Sequence, residues 1–243
     1  MTQNFRMGAP RSFAVSAKGN TVAFVRSDSG TSPVLNIWVV ENLDATPVER
    51  CVVRASDLLN DDEALSPAER ARRERLREGG AGITGFSANS DMSKICFALS
   101  GNLFIVEVAS GTAKQVGEYA AVVDPRLNSE GTKIAFTTGT DFVVFDLATN
   151  SESVRLTAES DTVTYGLADF IASEELDRFR GHWWSPDGNH IVVERNDEKD
   201  VEIRWISDPT YPEAPARAHR YPVAGSTNSA VSLVLIDLGT GNQ

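Results

Sequence analysis

The sequence is poor in the residues that mark a metalloprotein, a disulfide-stapled domain or a nucleic-acid binder. Only two cysteines and three histidines occur in 243 residues, and they make no metal-ligand spacing, so no metal or cofactor is expected. Cys51 and Cys96 both sit in apolar strand-like runs and read as small buried hydrophobes rather than as a disulfide. Basic charge is also scarce: 23 Lys and Arg stand against 34 Asp and Glu, a net charge of −11. Phosphate backbones need clustered cations, so nucleic acid is excluded as a partner and a cationic one fits better. Long apolar runs are missing as well. Nothing approaches the roughly 18 uninterrupted apolar residues of a spanning helix. Gln3, Asn4, Arg6, Pro10 and Arg11 interrupt the first segment, so it lacks the apolar core of a signal peptide. The expectation is a cytoplasmic chain with no membrane partner.

What the sequence does have is ordinary globular composition, 41% hydrophobic and 23% charged, and a loose repeat. A small or acidic turn leads into a short β-rich strand, then a partner strand, then a Gly, Thr or Asn turn. The phrase reads Ser16-Ala-Lys-Gly-Asn-Thr-Val-Ala-Phe24, Asn89-Ser-Asp-Met-Ser-Lys-Ile-Cys-Phe97, Asn128-Ser-Glu-Gly-Thr-Lys-Ile-Ala-Phe136 and Ser185-Pro-Asp-Gly-Asn-His-Ile-Val-Val193. Its partner strands read as residues 35–40, 103–108, 142–147 and 201–206, followed by a last apolar run over 231–238. Phe97 and Phe136 are 39 residues apart, close to the roughly 40 to 50 of a four-stranded propeller blade. The other intervals, 73 and 57 residues, each predict an insertion. A β-sandwich also has many short strands, but it does not account for the recurring phrase. The fold expected is all-β: a partial β-propeller of about four blades with two short helical insertions.

The first insertion, about 60–82, carries a clear helix. Ser66-Pro67-Ala68-Glu69 is a capping box with proline at the first helical position, and Gly79-Gly80 is read as the stop. Five arginines lie between. A helical wheel places Ala68, Ala71 and Leu76 on one side and Arg70, Arg73 and Arg77 on the other. Pairs such as Glu69 with Arg73 suit a solvated helix; a helix presenting guanidinium groups to a carbonyl or carboxylate is the functional alternative. The second insertion, about 161–180, contains Ala172-Ser-Glu-Glu-Leu-Asp-Arg178 and reads as a short helix.

Glu174-Glu-Leu-Asp-Arg178 followed by Gly181-His-Trp-Trp-Ser-Pro-Asp-Gly188 resembles the signature of the dipeptidyl peptidase IV branch of the prolyl oligopeptidase family. Tyr221-Pro-Val-Ala-Gly-Ser-Thr-Asn228 is similar to another segment of that family, and the Arg-rich helix resembles one found in bacterial and cytosolic members. The resemblance spans roughly residues 60–238. It implies an eight-bladed propeller joined to an α/β-hydrolase domain, in an enzyme that removes dipeptides from free N-termini when Pro or Ala is second. It further implies that Glu174 and Glu175 bind the substrate α-ammonium and that an arginine of the 70–77 helix contacts the substrate backbone. Arg73, central on the face away from the alanines, is the arginine chosen. Trp183 and Trp184 read as core aromatics opening a strand, and His182 as a strand-end packing residue.

The chemistry of the pair suits that role. An ammonium offers three N–H donors, which two carboxylates accept as charge-assisted bonds. Two adjacent carboxylates repel, and a bound cation relieves the repulsion. A hydrolase of this kind also needs a serine on a Gly-x-Ser-x-Gly elbow. None occurs here; Gly30-Thr-Ser32 and Gly85-Phe-Ser87 come nearest. The expectation is therefore an N-terminal propeller portion, 1–243, without the catalytic α/β-hydrolase domain, inactive by itself. Its partners would be a peptide with a free N-terminus and a downstream hydrolase domain. A non-catalytic propeller scaffold for protein or peptide binding is the competing reading. Open blade faces and strand edges predict self-association, a homo-oligomer included.

Overall fold

In the computed structural model, residues 7–59 and 65–239 are described. Residues 60–64 of the first expected insertion and both ends of the 1–243 span lie outside them. Three sheets form in chain order. The first joins β1 (Arg11–Val15), β2 (Val22–Ser27), β3 (Val34–Glu41) and β4 (Val48–Val53). A 3-10 turn, Ala55–Asp57, and helix α1 (Pro67–Arg75) follow, and β5 (Ala81–Gly82) then returns parallel to the start of β3. The second sheet is β6 (Ser87–Ala88), β7 (Lys94–Leu99), β8 (Asn102–Glu107) and β9 (Thr112–Gln115). The third is β10 (Val122–Leu127), β11 (Lys133–Thr138), β12 (Asp141–Asp146) and β13 (Ser151–Leu156). Apart from β5, every pairing in them is antiparallel between consecutive strands.

Strand alternation stacks these sheets face to face. Phe97 and Leu99 of β7 and Phe104 and Val106 of β8 pack with Ile37, Val39 and Val53 of the first sheet. Their neighbours Cys96, Leu103 and Ile105 point the other way, onto Val122, Ile134, Phe136, Val143 and Phe145 of the third. Successive side chains of a strand point to opposite faces, so an inner sheet covered on both sides needs near-continuous apolar strands, as in Asn102–Glu107 and Asp141–Asp146. Consecutive four-stranded sheets packed in this way are propeller blades. Cys96 is a buried free thiol and Cys51 a half-buried one.

The recurring phrase has a common cause. The side-chain oxygen of its first residue accepts the backbone N–H five residues on: Ser16 from Thr21 at 3.1 Å, Asn89 from Lys94 at 2.9 Å, Asn128 from Lys133 at 3.0 Å and Ser185 from His190 at 2.9 Å. At the fourth position the backbone is left-handed, with Gly19, Gly131 and Gly188 at φ of 73°, 71° and 70° and Met92 at 63°. Glycine suits that conformation because no Cβ meets the following carbonyl. The turns also link neighbouring blades, through Ala17 N–H to Ser90 O at 2.7 Å and Ser90 N–H to Ser129 O at 2.9 Å.

The fourth sheet departs from this plan. Strand β16 (His190–Asp197) pairs on one side with both β14 (Val163–Tyr165) and β15 (His182–Trp184), so its first strand is split. The second insertion lies in the gap, with helix α2 (Phe170–Glu175). On its other side β16 pairs over its full length with β19 (Ala230–Asp237). The expectation that residues 201–206 pair with the fourth phrase is corrected. There β17 (Ile203–Ile206) pairs with β18 (Arg217–Arg220) in a separate exposed hairpin, because β19 supplies eight partners in register and leaves no edge for β17. Val163, Ile191, Val193 and Ile236 close the fourth sheet onto Phe142 and Val144 of the third. No helix among the described residues is long and apolar enough to cross a membrane.

Candidate functional site

Helix α1 begins as its sequence predicts, with Ser66 Oγ accepting from Glu69 N–H at 3.2 Å and Pro67 first in the helix. Its end differs. Arg77 takes the left-handed conformation at φ 50° rather than Gly79, and Glu78 N–H reaches Arg73 O at 2.8 Å while Arg77 N–H reaches Glu74 O at 3.0 Å. Gly80 serves close packing instead, since a Cβ there would come within 2.8 Å of Leu35.

The expected Glu69–Arg73 pair forms, but it is buried rather than solvated. Arg73 is 6% exposed, its Nε donating to Glu69 Oε1 at 2.9 Å and its terminal nitrogens lying 3.5 Å and 3.4 Å from the carbonyls of Gly80 and Gly82. Of the three arginines turned away from the alanines, Arg70 and Arg77 are exposed and Arg73 meets the β5 segment, whose carbonyls and the Glu69 carboxylate satisfy its buried guanidinium. Ala68 and Ala71, with Arg72 and Arg75, face the second insertion at Leu167, Ala168 and Phe179. The arginine that meets Glu174 is Arg75: its Nε is 3.2 Å from Glu174 Oε1, and its guanidinium lies 5.5 Å from the centroid of the Phe170 ring.

Helix α2 buries Ala172 and Ser173 and exposes Glu174 and Glu175. The two carboxylates meet different surroundings. Glu174 sits with Arg75, Arg77 and Asp177 around a hollow of about 290 Å³. Glu175 lines a cleft of about 550 Å³ with Ile171, Tyr221, Pro222, Gly225 and Asn228. Phe170 and Tyr221 meet edge to face, centroids 5.0 Å apart. Two motifs 46 residues apart in the sequence, Glu175 and Tyr221, thus share one cleft.

Beneath α1 lies a further cavity of about 300 Å³, bordered by Glu69, Arg72, Phe86, Asp124 and Arg126. Asp124 occupies a bulge of β10 at φ 49°. Burial opposes its charge, but the Arg126 and Arg72 guanidiniums outweigh this and hold its pKa below the ordinary carboxylate value. His182 is fully buried, its Nδ1 3.2 Å from Gly166 O, and burial pushes its pKa down to about 4. A neutral ring packed 5.1 Å from Phe142 agrees with a packing role. Trp184 joins the core between the third and fourth sheets, with Nε1 donating to Arg126 O at 3.1 Å. Trp183 is instead half-buried beneath the Arg178 and Arg180 guanidiniums, 5.8 Å and 5.9 Å from its ring. Sequence reasoning passes over Arg75, Asp169 and Glu194. Their roles depend on partners in other elements, and only Asp169, as an N-cap residue before an apolar pair, carries a local signal.

Residues 87–243 match the family model of the dipeptidyl peptidase IV (DPP IV) N-terminal region. Dipeptidyl peptidase 8 of Homo sapiens is 27% identical over 201 residues, covering 71% of this chain and 22% of that protein. Inactive dipeptidyl peptidase 10 of Rattus norvegicus is 35% identical over 94 residues, 36% of this chain and 12% of that one. The crystal structure of Porphyromonas gingivalis dipeptidyl peptidase 4 superposes with a TM-score of 0.70 at 19% identity, over 99% of this chain and 33% of that chain. The chain thus spans about a fifth of its human relative and a third of the bacterial structure, and no catalytic domain is covered. With its stacked four-stranded sheets and the matched region covering well over half of its length, the chain belongs to the dipeptidyl peptidase IV N-terminal region family, as propeller of a dipeptidyl peptidase IV-like protein.

Proposed function

We propose that this chain is the substrate-recognition part of a serine dipeptidyl aminopeptidase that removes X-Pro or X-Ala dipeptides, with Glu174 and Glu175 holding the substrate α-ammonium. One observation carries the reading: a short helix presents both carboxylates outward, one beside an arginine of α1 and the other in the cleft of the 221–228 segment. An ammonium held by them donates charge-assisted bonds to the carboxylates that a blocked peptide cannot supply. Arg75 takes the place the wheel assigned to Arg73, positioned to orient Glu174 and to donate to a substrate carbonyl. The pair then measures the chain end, so that the second peptide bond falls at the nucleophile of the hydrolase domain.

In the full-length protein, Glu174→Gln and Glu175→Gln each keep shape and remove one charge. Charge-assisted bonds contribute about 1.5 to 3 kcal/mol, so kcat/KM on an unblocked X-Pro substrate falls roughly 10- to 150-fold per substitution. Asp177→Asn, a nearby charge outside the pair, serves as the control. Wild-type turnover by both Gln variants overturns the reading. The scaffold alternative is favoured by one observation, the likeness to a relative named inactive. A full-length protein that binds unblocked peptides without cleaving them would decide for it.

A further inference from the structure

The second insertion leaves the fourth sheet after Tyr165 and re-enters at His182, and both feet meet one residue of β16. Glu194 donates its backbone N–H to Gly181 O at 2.8 Å, and its carbonyl accepts from Gly166 N–H at 2.8 Å. Its side chain is 1% exposed and grips the insertion a second time. One carboxylate oxygen accepts from Asp169 N–H at 2.9 Å, and the other from Arg178 Nη1 at 2.5 Å. Arg178 also donates from Nη1 to Arg180 O at 2.8 Å and from Nη2 to Asp169 Oδ1 at 3.2 Å. The other oxygen of Asp169 starts α2 by accepting from Ile171 and Ala172 N–H at 3.1 Å and 3.4 Å. The residue that begins α2 and the arginine that follows its end are thus tied to one buried carboxylate.

The repeat shows that the sheet does not require this charge. The residue following the nine-residue phrase is Val25, Ala98 and Thr137 in the first three sheets and Glu194 in the fourth. Burying a carboxylate is costly unless it is paired and fully hydrogen-bonded, so an apolar or hydroxyl residue would serve packing at least as well. What an ion-paired cluster adds is direction. Helix α2 has six residues, far fewer than the roughly 12 to 15 at which an isolated helix becomes even marginal, so its orientation must come from outside. We infer that Glu194 and Arg178, acting through Asp169, are positioning residues that set the orientation of α2 and hence the aim of Glu174 and Glu175. This rests on the reading that the pair binds an ammonium.

The test uses the full-length protein with Glu194→Thr/Arg178→Thr, which places the third sheet's residue at 194, removes both members of the Glu194–Arg178 pair and leaves Asp169 its bonds to the Ile171 and Ala172 N–H groups, beside Glu174→Gln. Rates are normalised to the fraction titrated by a serine-directed fluorophosphonate. Loose positioning should lower kcat/KM on an unblocked X-Pro substrate about 10- to 100-fold, mainly through KM, and reduce the preference for it over its N-acetylated form. A merely structural role would lower the titrated fraction and leave that preference intact. Amide hydrogen exchange over residues 170–181 should quicken at least about 10-fold while 133–146 stay protected. A full effect of Glu174→Gln with none from the double variant overturns the clamp and spares the ammonium reading. No effect of either Glu174→Gln or Glu175→Gln, with faster exchange at 170–181 in the double variant, overturns the ammonium reading and keeps the clamp. Unchanged exchange overturns the clamp whatever the activity.

Discussion

The third and fourth sheets start from the same phrase and end differently. In the third, β10 to β13 follow one another, and the interior of β11 and β12 is apolar on both faces except for Thr137, whose hydroxyl donates to Tyr165 O at 3.0 Å. In the fourth, the first strand is broken by residues 166–181, the partner of β16 arrives only at Ala230, and the buried set includes Glu194, Asn196 and Asp197 beside Ile191 and Val193. The difference separates two tasks. Near-continuous apolar strands build a blade and need only apolar neighbours on its two faces, whereas an inserted element must be held by directional bonds to a particular residue of the blade.

The largest effect is expected where only packing acts. Phe136 is fully buried between the second and third sheets, with the Tyr119 ring edge-on at 4.7 Å. Phe136→Ala should lower the unfolding free energy by about 3 to 5 kcal/mol in a denaturant titration. A loss comparable to that of the Glu194→Thr/Arg178→Thr variant would erase the contrast between the two sheets.

The second expectation belongs to the fourth sheet. His182 is held neutral, with a folded pKa of about 4 against an ordinary value of about 6.5. The unfolded chain therefore binds the proton first as pH falls. The stability contributed is complete above about pH 6.5 and is lost progressively down to about pH 4, on the order of 3 kcal/mol in all. Thermal unfolding of the wild type and His182→Phe across that window should diverge, the variant losing less. Parallel curves would remove His182 from the contrast.

The smallest effect compares the two turns. Gly131 and Gly188 share the same left-handed backbone, but a Cβ at Gly131 would stand 2.8 Å from Asn89 Nδ2 and one at Gly188 3.2 Å from Asn128 Nδ2. Either substitution by Ala should cost about 1 to 2 kcal/mol for the backbone alone. Gly131→Ala should cost more, because both asparagines are held by bonds within their turns and cannot withdraw freely, and the added carbon at Gly131 comes closer to its asparagine. Gly19→Ala, with open space around the added carbon, gives the baseline in the same melting experiment.

Much of the fold is readable in the chain because its signals are local. A side-chain oxygen bonding five residues ahead, a left-handed residue three positions on that is glycine in three of the four copies, and a run of consecutive apolar residues lie within each phrase. The Ser66 cap and the Glu174-Glu175 pair are readable for the same reason. Arg73 is misread because a wheel shows which residues share a face but not what that face meets; here it meets the Gly80 and Gly82 carbonyls. The 201–206 run is misread because both it and residues 230–237 carry strand-forming residues, and which of them pairs with β16 is decided by the eight-residue register with a distant strand.

By itself, the sequence determined the blade repeat, the two insertions, the helix start at Ser66 and the glutamate pair, because each rests on contacts made within a few residues. Tertiary structure alone decided that the fourth blade's first strand is cut, that Arg75 rather than Arg73 reaches Glu174, and that Glu194 holds both feet of the insertion. Those outcomes join residues from separate elements, and a buried charge settles wherever the fold brings enough donors and acceptors within reach to offset its lost hydration.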